Sequence, residues 1–385
     1  MKSVTAVTLL MIVFQLRVGR VTCLLICAVP ELLSQAPLLA AEPDGPTVTV
    51  RPAVIAVRRN GITGAGFAVA SRDGQRVTLH YPAHADDFGK SVGTGTAVST
   101  DGGNTWSAGR DDWPLPKSVG VWQERVRDGR FVALGIHWLP DPAKRRQIET
   151  LDIPRSPWRM ATSKNGDQWQ TFDARVTIPP EAGVIARPLP HIFEDDAGAW
   201  LMPAYSWSRT GNRAVLLKSD DDGRNWSLHA TIVKSTTIIR SGVPVTTPWL
   251  ESMVTRTKDG SLLAVIRTGS NAAAALVFAR SSDGGLTWTD PEKVVAGLQR
   301  EPVTGKLPNV LLLPNGSLAL LTAHTKRGCF LYLSSDGTGR EWSKGHMITE
   351  STGSNTSMVL LNENRLLIFT PANGRINCWR VTVEL

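Results

Sequence analysis

Six Asp-Gly-like or Asn-Gly-like turns set between apolar runs, and a Ser-x-Asp-x-Gly-x-Thr-Trp motif recurring in the intervals between them, predict an all-β fold: a six-bladed β-propeller. A third observation concerns how such a ring is completed. The last turn, near the C-terminus, has no copy of the motif after it, and the strand-like stretch Thr47–Val57 is available to finish that blade and hide both sheet edges.

The turns are Arg72-Asp73-Gly74, Arg127-Asp128-Gly129, Asp195-Asp196-Ala197-Gly198, Lys258-Asp259-Gly260, Pro314-Asn315-Gly316 and Asn362-Glu363-Asn364. Asp-Gly and Asn-Gly tolerate the positive φ of a tight hairpin, so each turn joins two antiparallel strands. Their spacing, roughly 40–60 residues, is that of a propeller blade. In the last blade Val359–Thr370 and Cys378–Val383 supply the strands that the N-terminal stretch joins.

The motif reads cleanly at Ser99–Trp106, Ser219–Trp226 and Ser281–Trp288, one residue short at Ser163–Trp169 and one long at Ser334–Trp342. Its Asp or Asn is placed to accept backbone N–H groups two residues on, its Gly to take φ > 0, and its Trp to fold back as an apolar plug. The aspartates are therefore read as scaffold rather than as catalytic or calcium-binding groups.

Hairpins and motif turns share one end of such a blade, so functional side chains are sought at the other end by counting from the turns. Eight residues before Asp259 is Glu251, eight before Glu363 is Asn355, and nine before Asp196 is Arg187. On the second strands the same counting gives His80, His137, Tyr205, Arg267 and His324, with Asn373 nearby. One end thus gathers Glu, Arg, His, Tyr and Asn, as expected of a ligand site in the mouth of a ring. The histidines come from different blades without paired spacing, so no metal is expected, nor any other cofactor.

The motif is that of the Asp-box, and the chain from about Thr47 to Leu385 resembles the sialidase-like propellers that carry it. Glu251 to Arg267, with the Asp259-Gly260 turn between them, resembles the sialidase segment holding a central Glu and one arginine of a substrate-clamping triad. Arg327 to Ser334, leading into the last motif copy, resembles the segment of the triad's third arginine. Guanidinium groups suit a substrate carboxylate because they offer paired, charge-assisted donors. The resemblance puts the general acid on a first-blade loop, where Asp86 and Asp87 lie. Two features depart from the family. No tyrosine occupies Gly353–Met358, where a sialidase has its nucleophile; Asn355 stands there, and Tyr205 or Tyr81 would have to supply a phenol from another blade. The first triad arginine is also missing from Gly64–Phe67, leaving Arg58, Arg59 or Arg187 as substitutes.

Residues 1–41 combine two apolar runs around Arg17 and Arg20 with a small-residue end at Ala40-Ala41, and read as a cleaved secretory signal. A membrane anchor is the alternative, but Pro30 and Glu31 cut the longer run short of a span. Residues 42–385 form the propeller of a secreted or periplasmic protein. Cys23 and Cys27 leave with the signal; Cys329 and Cys378 remain, as a disulfide or as two buried thiols. The formal charge of +8 comes without a dense Lys/Arg run, which argues against nucleic acid and fits an anionic small ligand. The expected partner is a glycan or glycoconjugate. The resemblance implies an exo-glycoside hydrolase for a terminal acidic sugar, with Glu251 as nucleophile or base and Arg267 and Arg327 as clamp. The alternatives are a carbohydrate-binding propeller without catalysis, in which Trp138, Trp207 and Trp249 stack on sugars, and a purely structural interaction module.

Overall fold

The computed structural model describes residues 46–62, 64–82, 94–107, 115, 119–136, 158–207, 211–235, 237–240, 243–246, 251–269, 274–324, 327–350 and 355–384. The chain divides into two units, Met1–Asp44 and Gly45–Leu385, and all described residues belong to the second. The expected signal lies outside them.

The described residues are all-β apart from one short 3-10 turn at Pro180–Ala182. Each of the six turns read in the sequence joins antiparallel strands. Phe67–Ala70 pairs with Val77–Pro82, and Val119–Arg125 with Phe131–Ile136. Ser252–Arg256 pairs with Leu262–Arg267, Lys306–Leu312 with Leu318–His324, and Ser357–Asn362 with Arg365–Ala372. The remaining first strand is broken. Val184–Pro188 and Phe193–Glu194 both pair with Trp200–Trp207, and Leu189–Ile192 separates the two pieces. Third strands continue each meander at Thr94–Ser99, Trp158–Ser163, Arg213–Ser219, Leu276–Ser281, Gly328–Ser334 and Arg375–Glu384. Two meanders are joined into one nine-stranded sheet by a parallel pairing of Asn225–Ser227 with Arg175–Thr177.

The last sheet takes in both ends of the chain. Thr47–Val50 and Val54–Arg58 both lie antiparallel to Arg375–Glu384, so the expected N-terminal completion of the C-terminal sheet is present, in two strands rather than one. The C-terminal strands begin and end within a few residues of the predicted ones, except that Arg375–Glu384 starts earlier because it must reach both partners.

Second strands such as Leu262–Arg267 and Leu318–His324 are buried along their whole length. They read as continuous apolar runs because a neighbouring sheet covers each face, whereas one-sided sheets alternate. Separate core clusters fill the spaces between consecutive meanders. Met202, Val215 and Leu217 pack with Val132 and Leu134, while Leu367 and Phe369 pack with Val77, Leu79 and Ala97. Each fully buried leucine or phenylalanine contributes about 1.5–3 kcal/mol. Cys329 and Cys378 are free thiols in two different clusters, so the disulfide is corrected to the buried-thiol alternative. Burial pushes both thiols up to about 12.

The turns gather at one end. Arg72 Nη2 donates to Arg127 O (3.4 Å), Arg127 N to Glu194 Oε2 (2.8 Å), and Arg256 Nη2 to Glu194 O (3.2 Å), which links consecutive hairpins. The repeated Ser-Asp-Gly-Trp turns explain themselves chemically. In Ser281–Trp288 the Ser281 Oγ accepts Gly285 N–H (2.8 Å) and donates to Asp283 Oδ1 (2.7 Å). Thr287 donates from N to Oδ1 and from Oγ1 to Oδ2 of Asp283, while Trp288 Nε1 donates to Gly285 O (2.9 Å). The serine and aspartate bonds recur at Ser99 and Ser219, and Trp226 Nε1 repeats the indole bond by donating to Gly223 O (2.9 Å). In these clean copies the carboxylate accepts N–H groups three or four residues on, not two as expected. Spacing of two is confined to the short and long copies, at Asn165 and Asp336. With both oxygens engaged inside their own turns, the aspartates of the clean copies are scaffold.

Candidate active site

The opposite ends of the hairpins hold the polar residues. Ser252 pairs with Ile266, so the next residues outward, Glu251 and Arg267, face each other, and Arg267 N donates to Glu251 O (3.0 Å). Their side chains meet as well: Arg267 Nη1 donates to Glu251 Oε2 at 2.7 Å. Arg267 Nε donates to Gly269 O (2.6 Å), which fixes the plane of the guanidinium. Both side chains are about nine-tenths buried, at 11% and 10% exposure. A buried ion pair of this kind is held by geometry and supplementary hydrogen bonds, since desolvation offsets much of its attraction.

The next sheet adds a main-chain donor. Leu307 N donates to the same Glu251 Oε2 at 3.1 Å. Leu307 sits at φ 42°, a left-handed conformation rare for a branched side chain and further disfavoured before Pro308. A register irregularity between Lys306 and Asn309 opens the strand at this point. Asn309, fully buried, closes it again by donating from Nδ2 to Leu307 O (2.8 Å) and to Thr356 O (3.2 Å). Gly305 makes the approach possible: a Cβ there would stand 1.9 Å from Thr322 Oγ1. Strain concentrated on a residue that touches a buried carboxylate is typical of a functional site.

The preceding sheet contributes Arg187, whose Nη1 lies 3.7 Å from Glu251 Oε1. Of the three arginines named as substitutes for the missing triad member, Arg187 is therefore the one that reaches Glu251. Arg58 and Arg59 lie beside Arg375 and Gly374, at the end of the C-terminal sheet. Tyr205 is the register partner of Arg187. Its ring packs against Trp207 at 6.2 Å and belongs to an apolar cluster with Leu189 and Met253.

The other described candidates fall at the same ends of their sheets. His80 pairs across its hairpin with Phe67 and is buried, with Nδ1 3.0 Å from Thr96 Oγ1. Burial lowers its imidazole to about 3, against a hydrogen bond with Gln123, so the ring is neutral. Tyr81, on the opposite face of that strand, is sunk in the apolar core over Gly95, where a Cβ would lie 2.2 Å from its ring. His324 ends its strand and is buried; its carbonyl accepts Arg327 N–H (3.0 Å). Arg327 is exposed in the turn that follows, and its charge acts on Tyr332, whose hydroxyl burial pushes up to about 12. Asn355 is half-buried where the last sheet meets the first: it bridges to Gly64, and its carbonyl accepts Ala65 N–H (2.8 Å). Asn373 occupies an exposed turn at φ 41°. Asp86, Asp87, His137, Trp138 and Trp249 lie outside the described residues.

Leu307 and Asn309 were not among the sequence candidates. The counting rule does land on Leu307, eight residues before Asn315, but an apolar side chain gives no sign that the backbone N–H is the working group.

Fold and site together define the class: this is the all-β fold of sialidases and arabinanases. Residues 149–368 match the model of the BNR repeat-like domain, over half the chain, and the protein belongs to that family within the sialidase/BNR-like superfamily. An anhydrosialidase of Macrobdella decora is 28% identical over 169 residues, 40% of this chain and 20% of that protein, so the chain matches a fifth of its relative's length. A Dyadobacter fermentans protein of unknown function has a TM-score of 0.69 at 18% identity, covering 88% of this chain and 99% of that one. A Hadza microbial sialidase has a TM-score of 0.64 at 16% identity, with 86% and 68% covered. The α-L-arabinanase of Penicillium chrysogenum has a TM-score of 0.61 at 16% identity, with 87% and 98% covered. At these identities the solved structures speak for the fold alone.

Proposed function

We propose that the protein is an exported, six-bladed glycoside hydrolase that removes a terminal acidic or sialic-acid-like sugar. The observation that carries this reading is the convergence of Arg187, Glu251 and Arg267 at the strand ends of two consecutive sheets, with Leu307 N–H added from a third. Glu251 acts as nucleophile or base through Oε1, which lies 3.7 Å from Arg187 Nη1, while Oε2 takes the bonds from Arg267 and Leu307. Asp86 or Asp87 is the acid, and Arg267, Arg327 and Arg187 hold the sugar carboxylate, with His80, His137, Tyr205, His324 and Asn355 around them. Residues 1–41 are the export signal in this reading.

A second substrate class has its own support. Arg187 and Arg267 are both engaged with Glu251, which leaves them less available to a substrate carboxylate and suits a neutral terminal sugar. The Penicillium chrysogenum neighbour is an arabinanase. Fluorogenic α-sialoside and α-L-arabinofuranoside, offered to wild type and Glu251→Gln, separate the two. Turnover of either one that Glu251→Gln abolishes, with glycan binding retained, supports the hydrolase and names the sugar. A wild-type protein that binds glycans yet cleaves neither these nor a wider panel of aryl glycosides would leave a carbohydrate-binding propeller instead.

A further inference from the structure

The sheet that holds both chain ends presents a row of arginines at its turn end. Thr49 pairs with Thr382, and Thr382 with Arg365, so these three share one face of the sheet. Side chains alternate along a strand, which puts Arg380, two residues before Thr382, and Arg51, two after Thr49, on that face too. The face is the one that packs Leu367 and Phe369 against the first sheet. Arg51, Arg365 and Arg380 line a cleft of about 190 Å³ there, opposite Gln75 and Asn104 from two turns of the first sheet.

Charge in the cleft is unbalanced. Among the described residues none of the three arginines is in an ion pair. Arg380 Nη1 donates to Asn104 Oδ1 and Arg365 Nε to Asn362 Oδ1 (2.8 Å), both neutral amide oxygens, and the buried Nε of Arg380 has no acceptor. Asp101 lines the cleft as well, but its oxygens accept from Ser99, Asn104 and Thr105 inside its own turn. Converging guanidinium groups with free donors fit an oxyanion. An amide and a hydroxyl beside them, from Gln75 and Thr382, fit sugar hydroxyls. The volume is below the roughly 300–1,000 Å³ of drug-sized sites and suits a single ring.

We infer that this cleft binds one sulfated or carboxylated sugar unit at the end of the sheets opposite Glu251. The site does not depend on the hydrolase reading. Calorimetric titration of the purified protein at low ionic strength with glucose 6-sulfate, glucuronate, glucose and inorganic sulfate tests it. The expected result is that at least one of the two anionic sugars binds ten-fold or more tightly than both glucose and free sulfate. An Arg51→Gln/Arg365→Gln double variant, altered only at exposed side chains, should lose ten-fold or more in affinity with its unfolding midpoint unchanged, and Glu251→Gln should bind like wild type. Equal binding of glucose, free sulfate as tight as the sulfated sugar, unaltered binding by the double variant, or loss of binding in Glu251→Gln would each overturn the inference.

Discussion

Arg267 and Glu251, the outermost residues of one hairpin, are paired twice: main chain to main chain at 3.0 Å and guanidinium to carboxylate at 2.7 Å. Removing one member of a buried pair leaves the other uncompensated, which costs about 3–5 kcal/mol. Arg267→Ala should therefore be destabilised by about that amount in urea unfolding, and should lose glycosidase turnover. A loss under about 1 kcal/mol would mean that solvent already screens the pair.

Asn309 touches no candidate substrate position, yet its amide sets the carbonyl of the residue that donates to Glu251. It is a positioning residue. Asn309→Leu should cost about 2 kcal/mol through the two carbonyls left without a donor. It should also lower kcat more than it raises KM, while Asn309→Asp, lacking the donor but similar in shape, should not restore kcat. Equal kcat in wild type and Asn309→Leu would show that Leu307 holds its conformation unaided.

The repeated turns should be separable from activity. Ser281 is buried and serves both Gly285 N–H and Asp283. Ser281→Ala should lower stability by about 1–2 kcal/mol with kcat/KM unchanged. A changed kcat/KM at full folding would connect the turn end to catalysis.

Acid should unfold the protein in two stages. His80 is held near 3, below its ordinary 6.5, so the unfolded chain takes up a proton that the folded chain refuses. That contribution is complete above pH 6.5 and is lost as pH falls towards 3; at pH 4.5 it amounts to about 2–3 kcal/mol. The turn carboxylates follow lower down. Burial alone would raise Asp101, but hydrogen bonds from Thr105, Ser99 and Asn104 outweigh it, and hydrogen bonds led by Thr257 lower Asp259; both end at about 2. Their contributions fade between about pH 4 and 2. Thermal midpoints of His80→Gln should decline less than wild type as pH falls from about 6.5 to about 3, and run parallel to it only below that. Identical slopes above pH 4.5 would mean the ring is already solvated.

Strand order was legible because the hairpins announce themselves in turn chemistry and the second strands in unbroken apolar runs. Glu251 and Arg267 were legible for the same reason, since a fixed distance from a recognisable turn places both at one strand end. His80 obeyed the same arithmetic, but distance along a strand does not report that Thr96 and Gln123 enclose the ring. Leu307 contributes a main-chain N–H, which any residue but proline would offer, so no side-chain pattern could single it out. Asn309 lay hidden in an apolar strand, where its value is the two carbonyls it reaches across a local irregularity.

The pairing of Thr47–Val50 and Val54–Arg58 with Arg375–Glu384 sets the order in which the molecule can be finished. Thr47–Val50 and Val54–Arg58 leave a ribosome long before Arg375–Glu384, the strand with which both of them pair. Up to that moment two strand edges stay open, and the loop that must close spans nearly the whole chain, a slow step by any polymer argument. Loss of even the final ten residues would strand both ends at once, so a single cut near the C-terminus should act on the N-terminus as though both had been removed.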